Sequence, residues 1–222
     1  MKLTDYFVTL KLSALPVNYE WSTTISNGFW AANAEDSPRL ASAIRPMSHK
    51  AAFALCVACA EWVTARVEGH VDTADALLRI EAAWAATLDV QLASLPAPPQ
   101  DPTAPKQFAG PLRLAMKLIS NAHETCNDEP DDIYGGALGS TMLADHVCGR
   151  HKAFGPWLST SLKRCAQHSP RTDVPVGEQP PVPKDFFDPD FAGDPKSGRQ
   201  SLELFIKSLG RSKNPYLRLG RR

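Results

Sequence analysis

The chain lacks an excess of charge of either sign: 24 Lys and Arg stand against 24 Asp and Glu in 222 residues. Non-specific nucleic-acid binding draws its affinity from counterions released by surplus cations, so no nucleic-acid partner is expected. An uncharged apolar run long enough to cross a bilayer is also missing. The longest is broken by Glu61, Arg66 and Glu68, and no membrane partner is expected. Met1-Lys2-Leu3-Thr4-Asp5 leads into mixed polar residues without the apolar segment of an export signal. The five Cys are an odd number, which without export points to reduced thiols and a cytoplasmic location.

Motifs that carry chemistry are missing as well. Ser140 has Gly135, Gly136 and Gly139 nearby, but it sits in no Gly-x-Ser-x-Gly elbow and follows no strand. No Lys-Ser or Lys-Thr follows those glycines, so they form no phosphate loop; close helix packing or a loose helix start accounts for them better. His123, Cys126, His146, Cys148, His151, Cys165 and His168 are residue types that bind zinc. The tight pairs of a structural zinc site are absent, and His146 and Cys148 would point apart on a helix. Cys56 and Cys59 form a Cys-x-x-Cys pair inside an apolar helical pattern with no strand before it. A redox pair sits at a helix N-terminus, where the dipole lowers the thiol pKa; these two read as small core residues. Glu61 and Glu81 are lone carboxylates on otherwise apolar helices, and the expectation is that they face solvent. No catalytic residue, cofactor or metal site is expected.

What is present is helical periodicity. At 43% hydrophobic and 22% charged residues the composition is that of a folded domain. An Ala-rich apolar run from His49 to Val67 is capped by Ser48, carries the stripe Ala52, Leu55, Cys56, Cys59, Val63, Val67, and stops at Gly69. A second follows from Asp72 to Leu92, with Leu77, Ile80, Trp84, Leu88 and Leu92 on one face. Further helices are expected from Ser37-Pro38 to Arg45, Pro111 to Cys126, Gly136 to Cys148, Lys152 to His168, and Ser201 to Leu209. Residues 3–12 fit strand or helix equally. Trp21, Phe29 and Trp30 read as a loop anchored by buried aromatics. The fold class is therefore all-α, a bundle of about five to seven helices. Residues 1–168 form the bundle, with a candidate internal boundary in the Pro-rich stretch 96–111. Residues 169–222 form an irregular Pro/Asp-rich segment, a short helix and a basic tail packed on the bundle.

Charge is neutral in sum but segregated along the chain. Between Leu118 and Gly149 there is no Lys or Arg, while Glu124, Asp128, Glu129, Asp131, Asp132 and Asp145 are acidic. Asp185-Phe186-Phe187-Asp188-Pro189-Asp190-Phe191 interleaves aromatics with carboxylates. In such a pattern rings anchor a partner and carboxylates steer a basic one. The expected partner-binding residues are Asp128, Glu129, Asp131, Asp132, Phe186, Phe187, Asp188, Asp190 and Phe191.

Pro183 to Phe191 and Asn214-Pro215-Tyr216-Leu217-Arg218 resemble the tail of helical bacterial proteins, and the helix with Glu81-Ala82-Ala83-Trp84 resembles their bundle. Proteins of this kind are similar in size and style to immunity proteins. The resemblance implies a non-enzymatic cytoplasmic protein that neutralises a cognate secreted toxin by occluding it. An adaptor or structural subunit of a larger assembly, and a small helical enzyme, are the alternatives.

Overall fold

The computed structural model describes residues 5–99, 106–128, 130–191, 201, 204–205, 207–209 and 213–218. In chain order its α-helices are α1 (Asp5–Leu10), α2 (Thr23–Trp30), α3 (Pro38–Ile44), α4 (His49–Val67), α5 (Ala74–Ala86), α6 (Lys106–Asp128), α7 (Ile133–Cys148) and α8 (Phe154–His168). The described residues contain no strand, only isolated bridges such as Met47 to Pro170 and Ala93 to Leu217. The fold is all-α. Among the described residues no helix is long and apolar enough to cross a membrane.

The central element is α4. The Ser48 hydroxyl caps it by accepting from the Ala51 N–H (3.2 Å), and Gly69, at φ 81°, turns the chain away at its end. Every residue from Lys50 to Val67 is buried. The periodicity had suggested one apolar stripe; instead α5, α6, α7, α1 and the 183–191 segment cover α4 on all sides. A helix that is apolar all round belongs at the centre of a core. That core is continuous across the Pro-rich 96–111 stretch: Leu95 before it, Phe108 within it and Leu112 after it all belong.

Three charged side chains interrupt α4, and each one ties down an irregular segment. Lys50 Nζ donates to the carbonyls of Leu88 (3.1 Å) and Gln179 (2.8 Å). Glu61 pairs with Lys184. Arg66, 1% exposed, donates to the carbonyls of Val147 (3.3 Å), Leu12 (3.3 Å) and Pro16 (2.9 Å). A buried charge is tolerated only when its donors or acceptors are met, so these residues fix where the loops attach.

Three elements depart from the sequence-based expectation. Helix α5 ends at Ala86 rather than Leu92, and Val90–Leu92 forms a separate 3-10 turn, so Leu88 and Leu92 lie outside the helix. Residues 23–30 form helix α2 rather than a loop, capped by Ser22, whose hydroxyl accepts from the Ile25 N–H (3.2 Å). Trp21 and Phe29 are half-buried, while Trp30 is 38% exposed with Lys117 Nζ 3.6 Å above its ring. Helix α6 begins at Lys106, not Pro111, and Pro111 lies inside it. Pro111 has no N–H for the carbonyl of Gln107, four residues back; the Tyr19 hydroxyl donates to that carbonyl instead (2.8 Å).

Gly139 on α7 lets α2 approach. A Cβ there would lie 2.2 Å from the Phe29 carbonyl oxygen. Gly139→Ala is expected to destabilise by about 1–3 kcal/mol, because α2 must be pushed off α7. Urea unfolding measures it, and an unchanged midpoint would show that α2 is not held there.

The C-terminal tail is docked on α5. Asn214 Nδ2 donates to the Leu78 carbonyl (2.6 Å) and Glu81 Oε2 (2.9 Å), and Arg79 donates to the Tyr216 hydroxyl (2.8 Å). Of the residues beyond α8, Val182, Phe186 and Phe187 belong to the core, and Val176, Phe191, Tyr216 and Leu217 pack against it.

Candidate functional site

A short strap, Pro183–Phe191, crosses α4 and α8 and forms one wall of a cleft. Lys184–Phe187 makes a single 3-10 turn, led in by Pro183 and followed by Asp188 in extended geometry. Three contacts from the bundle hold the strap. Lys184 reaches Glu61 on α4, and Trp157 Nε1 donates to the Phe187 carbonyl (2.8 Å). Arg164 on α8 donates to the carbonyls of Phe186 (3.3 Å), Asp188, Pro189 (3.4 Å) and Phe191 (2.7 Å). A guanidinium carries five N–H donors in a rigid fork, and here one side chain gathers four carbonyls of a segment without regular structure.

The cleft beside this strap is lined by Tyr6 and Phe7 from α1, Ala58 and Glu61 from α4, Trp157 from α8, and Lys184, Asp185, Phe187, Asp188 and Pro189. It offers about 100 Å³, well below the roughly 300–1,000 Å³ of a metabolite pocket. Its walls are aromatic. Its charge is unbalanced: Glu61, Asp185 and Asp188 line it with a single basic residue, Lys184. Glu61, expected to face solvent, has a side chain only 4% exposed and lies at the floor with Lys184, itself 27% exposed. Burial raises the Tyr6 phenol above its ordinary value, and the carboxylates of Asp188 and Asp190 raise it further.

The structure divides the expected partner-binding residues. Phe187 and Asp188 line the cleft, and Asp190 is exposed beside it. Phe186 and Phe187 are 7% and 6% exposed, so they are not presented as surface anchors. The Phe187 ring packs against Trp84 and Trp157, and the Phe186 ring against His168 and Phe191. Facing inward, these large rings cover apolar surface of α4 and α8 that would otherwise meet water. The neighbouring carboxylates then face outward. Phe191 is half-buried under Arg164.

The α6–α7 turn is a separate place. Asp131 accepts from Arg171 (2.7 Å) and lies 3.3 Å from His49 Nε2 while remaining 79% exposed. His49 is twelve residues before Glu61, about 18 Å along the helix. Asp132 is exposed; the side chain of Asp128 and all of Glu129 lie outside the described residues.

All five cysteines are free and buried. Burial pushes the Cys56 thiol up to about 12 and the Cys126 thiol up to about 11, and it raises Cys59 further. Native protein at pH 8 is expected to react with a thiol reagent only as fast as it unfolds. Rapid modification of Cys56 or Cys59 without loss of helicity would contradict this placement. Among the described residues no three His, Cys, Asp or Glu side chains converge to hold a metal ion. Two of the histidines meet backbone instead: His123 the Val90 carbonyl (3.0 Å), His146 the Glu20 carbonyl (2.7 Å).

Glu61, Lys184, Tyr6, Trp157 and Arg164 were not singled out as site residues from the sequence. Glu61 did carry a signal, as a carboxylate inside an apolar helix. Arg164 carried none, because backbone carbonyls as partners leave no mark in a sequence. No family model matches the chain, and no curated protein or solved structure matches it either.

Proposed function

We propose that this chain is a non-enzymatic, cytoplasmic protein that binds a basic face of another protein, and that the partner is a secreted toxin it neutralises by occlusion. The observation that supports this is the net-negative, aromatic-walled cleft rimmed by Asp185, Asp188 and Asp190, on a strap fastened by Arg164. A pre-ordered acidic rim lowers the entropic cost of association, and its field steers a cationic surface toward it. Exposed Asp132 adds to the acidic field from a second place. The experiment is co-expression with the product of the adjacent gene. Cells making that product alone should stop growing, and wild-type protein should restore growth. The Asp188→Asn/Asp190→Asn variant, folded as judged by circular dichroism, should protect less. Absence of protection by the wild type would remove the neutralisation reading.

A further inference from the structure

We infer that the cleft between α1, α4, α8 and the strap is a receptor pocket for one lysine side chain of the protein partner. This rests on the protein-binding reading above and specifies its chemistry.

Size, walls and charge converge on this occupant. About 100 Å³ is too small for a metabolite and suits a single extended side chain. Tyr6, Phe7, Trp157 and Phe187 line the cleft with apolar surface along which a chain of methylenes can lie. Three acidic residues and one basic residue line the cleft, and with Lys184 paired to Glu61 the charges of Asp185 and Asp188 remain for a second positive charge. Lys184 itself shows that the floor accepts an ammonium: it meets Glu61 and lies 5.5 Å from the Trp84 ring centroid.

A point charge fits this site better than a planar fork. Bidentate pairing with arginine needs both oxygens of one carboxylate. Lys184 occupies Glu61 Oε1, and Asp188 Oδ1 already accepts the Asp190 N–H (2.9 Å). Asp188 keeps its other oxygen for a monodentate donor, and an unbranched stem ending in an ammonium is a slimmer occupant of about 100 Å³ than a planar guanidinium.

The test is an amide-resolved NMR titration of the full chain with N-acetyl-lysine methylamide. Its Nε-acetylated form, the corresponding arginine amide and n-butylamine serve as comparisons. Shifts are expected at Tyr6, Ala58, Glu61 and Trp157, with the Nε-acetylated form at least tenfold weaker. Asp188→Asn should weaken binding about fivefold, and Lys184→Met should tighten it by removing a like charge. Because Lys184→Met leaves Glu61 buried without its ammonium, Asp188→Asn, on an exposed residue, is the variant that keeps the test valid if the other misfolds. Equal binding of the acetylated form, shifts lying elsewhere, or no binding would overturn the pocket. Tighter binding of the arginine amide, or binding of butylamine alone, would overturn lysine of a partner as its occupant. The probe is a small molecule, so its failure leaves association with a partner protein separately measurable, and the two claims fall independently.

Discussion

Replacing Trp62 by alanine lowers the stability of the fold by about 3–5 kcal/mol, the loss typical of deleting a large buried aromatic. Trp62 lies at the middle of α4 and is 0% exposed. Its ring meets Phe154 edge-on at 5.1 Å and Phe7 at 5.3 Å, with Trp157 at 5.2 Å and Tyr6 at 6.0 Å. These neighbours come from α1 and α8, so one side chain joins three helices and underlies the cleft wall. The Trp62 indole N–H has no hydrogen-bond partner among the described residues. Trp62→Phe therefore removes little polar bonding and should cost less than half as much as the alanine change. Equilibrium urea unfolding of both variants measures this. A loss below about 1 kcal/mol for Trp62→Ala would mean that the site can collapse or that α4 is not central.

Arg164→Ala is expected to release the strap, at a cost of about 2–3 kcal/mol. One hydrogen bond to a charged donor contributes about 1.5–3 kcal/mol, but the four made by Arg164 share one partly solvated side chain and do not add. What is lost is local order. The N–H groups of Phe186, Asp188 and Phe191 bond only to carbonyls within the strap, those of Pro183, Asp185 and Asp188. Without Arg164 the polar contacts of Lys184 and Trp157 remain, beside the buried rings of Phe186 and Phe187. Hydrogen exchange should accelerate at these three amides while α4 stays protected. Unchanged exchange in the strap would show that burial of Phe186 and Phe187 holds it unaided.

The helices were legible in the sequence because apolar spacing survives any tertiary arrangement; α4, α7 and α8 fall where the periodicity placed them, within a few residues, whereas α5 ends at Ala86, six residues short of Leu92. Helix α2 was not, since Thr23, Thr24, Asn27 and Gly28 are poor helix formers, and only the Ser22 cap marks its start. The start of α6 was misplaced because Pro111 reads as a first-turn residue, whereas the Gln107 carbonyl it leaves without a donor is met by Tyr19, 88 positions from Gln107. The charged residues of α4 were visible, and they excluded a membrane span. What they bind was not visible, because Lys50 and Arg66 bond to backbone carbonyls and Glu61 to Lys184, 123 residues distant. The alternation in Asp185–Phe191 did mark the segment that walls the cleft. Which half of the pattern faces outward depends on α4 and α8, so the rings could not be placed from the segment alone.

The central claim is that carboxylates on the strap receive a basic partner. The most direct measurement is the association rate constant with the purified product of the adjacent gene, at two ionic strengths, for wild type and for Asp188→Asn/Asp190→Asn. Steered association falls with salt over a Debye length of about 8–10 Å. Wild type should bind with a rate constant that drops steeply as salt rises. The amide variant should associate roughly tenfold more slowly at low salt, with a flattened salt dependence and a smaller change in dissociation. A wild-type rate that ignores ionic strength, or a variant that associates as fast as wild type, would contradict the account.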